Sequence, residues 1–146
     1  PQWMFYSRAD DIIDLADFAR LTENAIWQAL QATGLPYVDW TARKEYDGQR
    51  LALHLYLEPK DGAVDVAEVR DRLDRQLAEM DHDYADLHSM LGMDPLRVTL
   101  LAPGTFQRYM QARHAEGVDL AQMKPAHMNI SDDTLAKLMQ ASAGDQ

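Results

Sequence analysis

With 146 residues, 47% of them apolar, the sequence has the length for one domain with a real core and is short for a complete multi-domain enzyme. Its net charge of −10 disfavours a general role on nucleic acid or on an anionic membrane, since phosphate binding needs a basic footprint, although a local cationic site stays open. Cysteine is absent, which excludes disulfides and thiolate metal sites. No apolar run approaches the roughly 20 residues of a membrane helix, and the N-terminus has no signal-peptide layout, so a soluble, cytoplasmic protein is expected.

In chain order, Asp11 to Leu15 reads as a short first strand. Thr22 can cap a helix running to about Thr33, with Ile26 and Leu30 one turn apart and Gly34-Leu35-Pro36 as its stop. Two strands follow. Val38, Trp40 and Ala42 alternate with Asp39, Thr41 and Arg43, and Leu51, Leu53, Leu55 and Leu57 alternate with Ala52, His54, Tyr56 and Glu58. Asp47-Gly48 between them is a favoured hairpin turn.

Asp65 opens a second long helix with Glu68 in the capping-box relation, an apolar stripe at Val66, Val69, Leu73, Leu77 and Met80, and i,i+4 charge pairs at Glu68/Arg72 and Asp71/Arg75. A short helical piece around Tyr84 to Leu91 precedes a fourth strand at Leu96-Val98-Leu100. The order predicts a ferredoxin-like βαββαβ core: an α+β fold whose antiparallel sheet is covered by helices on one face, with a helical C-terminal extension. The small-residue stretch from Ala141 to Gln146 is expected to fray, which leaves 1–140 as a single domain. Because the chain starts with Pro1, a processed or truncated piece of something longer is one expectation.

The five histidines fall into neither HExxH nor a tight pair, so no metal site is expected, and no GxSxG, P-loop or Rossmann fingerprint is present. Three local features remain. Ser7 to Ile13 sets an arginine and two carboxylates before a hydrophobic strand, which by composition is a solvated lead-in. In Pro103-Gly104-Thr105-Phe106, Gly104 permits a tight turn and Thr105 can cap a helix bearing Phe106, Tyr109 and Met110, a stripe better suited to core than to an interface. Lys124 lies between a helix ended by Gly117 and the ring of Pro125, in a loop able to aim it, with no carboxylate expected within a helical turn. A compact ammonium on a long stem suits a phosphate met in only one conformation.

These segments together carry a resemblance. Leu77-x-x-Met80-Asp81-His82-Asp83-Tyr84, Pro95-Leu96-Arg97-Val98, Pro103-Gly104-Thr105-Phe106 and Gly117 through Gln122-Met123-Lys124-Pro125 resemble the C-terminal domain of the Gretchen Hagen (auxin-responsive) acyl acid amido synthetases. Arg8-Ala9-Asp10-Asp11-Ile12-Ile13 resembles the hinge motif of acyl-adenylate-forming enzymes in general. The resemblance spans nearly the whole chain, and the spacing from Gly-Thr-Phe to Gln-x-Lys is its specific part. It implies a mobile lid for a larger N-terminal adenylation domain. That enzyme would use ATP with Mg2+ to turn a small carboxylic acid into an acyl-adenylate, then let an amine or amino acid displace AMP. By the same resemblance Asp10 is the hinge, Lys124 the catalytic nucleotide-phosphate contact, and Arg8 a nucleotide-side contact at the domain junction. Two positions depart from the family pattern: Met123 replaces its tyrosine, and Lys124-Pro125-Ala126-His127 lacks its arginine, with His127 in that place. The alternative is a free-standing ferredoxin-like module that binds a small molecule or dimerises through its sheet.

Overall fold

A computed structural model of the chain describes residues 12–15, 19–48, 50–60, 64–91, 95–119 and 123–143. Strands β1 (Ile12–Leu15) and β2 (Ala19–Thr22) form an antiparallel two-stranded sheet whose Ile13–Leu21 and Leu15–Ala19 pairs are buried. Helix α1 (Glu23–Thr33) starts where the Thr22 hydroxyl accepts from the Ala25 amide at 3.1 Å and stops at Gly34, whose φ of 76° is the left-handed conformation a glycine adopts without strain. Strands β3 (Tyr37–Asp47) and β4 (Arg50–Pro59) make the expected hairpin, with Asp47 opposite Arg50. Helices α2 (Val66–Met80) and α3 (His82–Leu91) lead to β5 (Leu96–Leu100), then α4 (Thr105–Ala115) and α5 (Asp132–Ala143).

The result is a mixed α+β fold compatible with a ferredoxin-like arrangement, with one change of pairing. The second sheet has the order β3-β4-β5, and β4 pairs with β5 in parallel, where the sequence pattern predicts an antiparallel sheet throughout. The cause is the first strand. β1 closes on β2, a strand that short polar-apolar Ala19–Thr22 does not announce, and so leaves the edge of β4 open. The connection through α2 and α3 is long enough to bring the chain back in the same direction.

Both faces of this sheet are buried. Leu53, Leu55 and Leu57, with Trp40 and Ala42 of β3, pack against Ile26, Ala29 and Leu30 of α1 and Val69, Leu73 and Leu77 of α2, so the two long helices share one face as expected. Val66 and Met80, the ends of the predicted stripe, are exposed. Tyr56 alternates with Leu55 and Leu57, and it joins Leu101, Phe106, Tyr109, Ile130 and Leu138 in a second core beneath α4 and α5. Residues 141–143, assigned by composition to a fraying tail, are the last residues of α5; Ser142 Oγ accepts from the Ala102 amide at 3.0 Å. Among the described residues no helix is long and apolar enough to cross a membrane.

The strand alternation fails at one place. The register shifts between Tyr37 and Asp39, and this bulge turns Val38 out to 51% exposure while Asp39 and Thr41 are buried.

Candidate functional site

Counting back from the β3–β4 turn puts Asp39 directly opposite Glu58. Two carboxylates side by side on one sheet face repel unless other groups neutralise them. Each recruits its own set of donors, and apart from the Trp40 amide those donors come from the two sequence motifs that stood apart from ordinary packing.

Glu58, 3% exposed, takes the first motif. Its Oε2 accepts from the Gly104 amide at 2.8 Å and its Oε1 from the Phe106 amide at 2.9 Å, so a side chain from β4 caps α4. Thr105, expected as the cap, lies within the helix and donates its hydroxyl to the Ala102 carbonyl at 2.5 Å. The cap residue is Gly104 at φ 85°, where a side chain would be strained and a Cβ would sit 2.7 Å from Arg108 Nη1. A negative carboxylate at a helix N-terminus also answers the exposed amides and the dipole there.

Asp39 takes the second motif. Helix α4 ends at Gly117, φ 81°, and the segment from Met123 returns to run beside the free edge of β3. The Ala42 amide donates to the His127 carbonyl at 2.7 Å, the Asn129 amide donates to the Ala42 carbonyl at 2.8 Å, and Met128 forms a parallel bridge with Ala42. The Thr41 hydroxyl donates to the Ala126 carbonyl at 2.8 Å. On this platform Lys124 Nζ lies 3.0 Å from Asp39 Oδ2. The lysine side chain is 55% exposed and the aspartate 11%. No partner for this lysine was legible in its own segment; the fold supplies one from 85 positions earlier in the chain.

His127 sits on the same carboxylate. Its Nε2 is 2.8 Å from Asp39 Oδ1, its Nδ1 is 2.7 Å from Glu23 Oε2, and its ring stacks on Trp40 with centroids 4.4 Å apart and planes 4° from parallel. Each ring nitrogen therefore faces an acceptor. A neutral imidazole has only one N–H, so with both carboxylates ionised this geometry favours the doubly protonated ring. The hydrogen bond to Asp39 raises the His127 pKa against the opposing effect of burial, and the Glu23 contact adds to it. Burial pushes the Asp39 carboxyl up, but bonds from His127, Lys124 and the Trp40 amide outweigh it and leave the pKa lowered. A raised histidine contributes its full stability below its ordinary 6.5 and loses it as pH rises through the folded value. A lowered aspartate contributes fully above its ordinary 3.8 and loses it as pH falls through the folded value. The clamp is thus complete from about pH 3.8 to 6.5 and weakens outside that window.

A second polar cluster on this sheet face ties down α5. Glu45 accepts from the Tyr56 hydroxyl at 2.5 Å and Arg43 Nε at 2.9 Å, and meets His54 Nδ1 at 2.8 Å; the other His54 nitrogen meets Thr99 Oγ1 at 2.7 Å. Arg43 also donates to the Ile130 carbonyl and to Asp132 at the start of α5. Arg8 and Asp10, the other two residues singled out in the sequence, lie outside the described residues. Asp39, Glu23 and Glu58 escape motif reading altogether. The signal that could have found two of them is the hairpin register, which places Asp39 against Glu58.

This α+β fold recurs in solved structures of acyl acid amido synthetases. "GH3.15 acyl acid amido synthetase" matches with a TM-score of 0.69 at 17% identity, over 92% of this chain and 26% of that one. "AtGH3.15 acyl acid amido synthetase in complex with 2,4-DB" matches with a TM-score of 0.64 at 18% identity, over 90% of this chain and 25% of that one. The chain spans about a quarter of the length of these proteins, and at such identities the likeness is one of fold. The model of the GH3 family C-terminal domain matches residues 20–132, and the chain belongs to that family. No curated protein matches its sequence.

Proposed function

We propose that the chain is the mobile C-terminal domain of an ATP-dependent ligase that activates a carboxylic acid as its acyl-adenylate and passes it to an amine or amino acid. The family match over residues 20–132 carries this reading. The docked loop supports it chemically. Lys124 is held at the sheet edge yet more than half exposed, so its ammonium can exchange the Asp39 carboxylate for a phosphate oxygen. A cation placed beforehand where charge builds up is the main lever a protein has in phosphoryl and adenylyl chemistry. ATP with Mg2+, the acid pocket and most of the nucleotide site belong in this reading to a larger N-terminal domain in the cytoplasm, with residues 1–140 as the lid. Lys124 is the catalytic contact, and Arg8 a nucleotide-side contact at the junction.

The test is ATP–pyrophosphate exchange with 2,4-DB and a panel of carboxylic acids as probes. The full-length protein is expected to exchange with at least one acid, and the isolated 146-residue chain to show none. Robust exchange by the isolated chain would refute the lid assignment. Asp10 is proposed as the pivot. A pivot absorbs a dihedral change without touching substrate. Asp10→Pro fixes φ and should leave adenylation intact while slowing amide formation. Equal loss of both steps counts against a pivot there.

A further inference from the structure

Lys124 can serve a phosphate only if it can leave Asp39, and the geometry shows what makes that departure feasible. Asp39 is nearly buried, and a buried carboxylate stripped of its cation is costly. When Lys124 goes, two donors stay: the Trp40 amide at 2.9 Å and His127 Nε2 at 2.8 Å, both on Oδ1. We propose that His127 is a positioning residue for the adenylation step, a second cation that keeps Asp39 neutralised and so frees Lys124 to exchange this carboxylate for a phosphate. The inference rests on the ligase reading above.

Among the described residues, every charged group facing the ring fits this role. Glu23 on α1 holds Nδ1, Asp39 on β3 holds Nε2, Trp40 stacks on the ring plane, and Lys124 shares Asp39 from the same loop as His127. With the imidazolium in place, the two cations repel across one carboxylate and the lysine is loosely held. With a neutral ring, one nitrogen lone pair faces a carboxylate, Asp39 keeps a full negative charge, and Lys124 is bound more tightly. The hold on Lys124 therefore strengthens as His127 loses its proton. Because the His127 pKa is raised above 6.5, this occurs on the alkaline side of that value.

The expected result is an adenylation rate that falls as pH rises above 6.5 through the His127 pKa, by roughly 10-fold, the scale of one charge-assisted hydrogen bond. His127→Arg carries a permanent cation and should remove that alkaline limb. His127→Gln should show the low rate at every pH. ATP–pyrophosphate exchange of the full-length protein from pH 6 to 9.5 reads all three, with Lys124→Ala as the reference, and ring-nitrogen NMR of His127 below pH 6.5 should show both nitrogens protonated. If Lys124→Ala leaves exchange unchanged, the lysine assignment itself fails and takes this inference with it. If Lys124→Ala slows exchange but His127→Arg keeps the wild-type limb, or His127→Gln matches wild type at low pH, only the inference fails. A His127 ring that is neutral below pH 6.5 also overturns it, whatever the kinetics.

Discussion

Lys124→Ala in the full-length protein is expected to slow acyl-adenylate formation by ~10²–10³, the scale for losing one preorganised electrostatic contact to developing charge. Amide formation started from synthetic acyl-adenylate and amine should be nearly unchanged, because in the proposed cycle the lid has by then turned the lysine away. The fold should survive. More than half of the lysine side chain is exposed, and its partner Asp39 retains the Trp40 amide and His127; truncation of such a surface residue typically costs within ~0.5 kcal/mol. The contrast with Asp39 is informative, since an aspartate removed from the same pair would strand a lysine and a histidine together. An ordinary surface lysine predicts no kinetic effect in either step. Rates of both half-reactions decide the matter, and adenylation within about threefold of wild type would sink the catalytic role.

Glu58→Ala should produce the largest loss of stability from a single polar side chain here. Its two oxygens satisfy the Gly104 and Phe106 amides at the start of α4, and the Phe106 side chain belongs to the core beneath α4 and α5. Alanine leaves both amides unpartnered in a site too dry for water to replace the bonds fully. Each such group costs ~1–3 kcal/mol, giving about 2–6 kcal/mol together. Removing Glu58 also relieves its repulsion with Asp39 across the hairpin, but like charges so placed cost only ~0.2–1 kcal/mol and each carboxylate already has its own donors. The amide losses win. Glu58→Gln keeps one carbonyl acceptor and should lose less. Denaturant midpoints at constant slope measure both, and a Glu58→Ala protein within ~0.5 kcal/mol of wild type would show that the cap is dispensable.

Local signals carried much of this fold. The caps at Thr22 and Asp65, the left-handed glycines at 34 and 117, and most apolar positions of α1, α2, β3 and β4 depend on neighbours within a few residues, and apart from Val38, Val66 and Met80 the structure has them where the sequence pattern puts them. The Glu68–Arg72 pair is present at 2.6 Å, whereas Asp71 pairs with Arg70. Ala19–Thr22 is too short for alternation to mark as a strand, and once it pairs with β1 the parallel β4–β5 ladder follows. Glu58, read as the solvent side of a strand, is buried because α4 arrives on that face from almost 50 residues later. Lys124 could be picked out as a loop cation, but its counter-ion could not, because strand bulge, hairpin register and the return of the chain along β3 must all be known before Asp39 and Lys124 meet. The family resemblance supplied the lysine; only tertiary structure supplied its carboxylate.

The bridge between Ala42 and Met128 has a consequence for timing. With its carbonyls and amides hydrogen-bonded to β3, the segment after Lys124 has little slack. A lysine on a free loop could sample the nucleotide independently of the rest of the lid. On the proposed lid reading, the loop that carries it, bolted to the sheet, travels only as far as the whole body turns, so domain rotation delivers the loop and release from Asp39 is the one step left to the side chain. A reporter dye anywhere on the rigid sheet would then keep time for the loop, and any lag in chemistry behind it would time the release of the lysine.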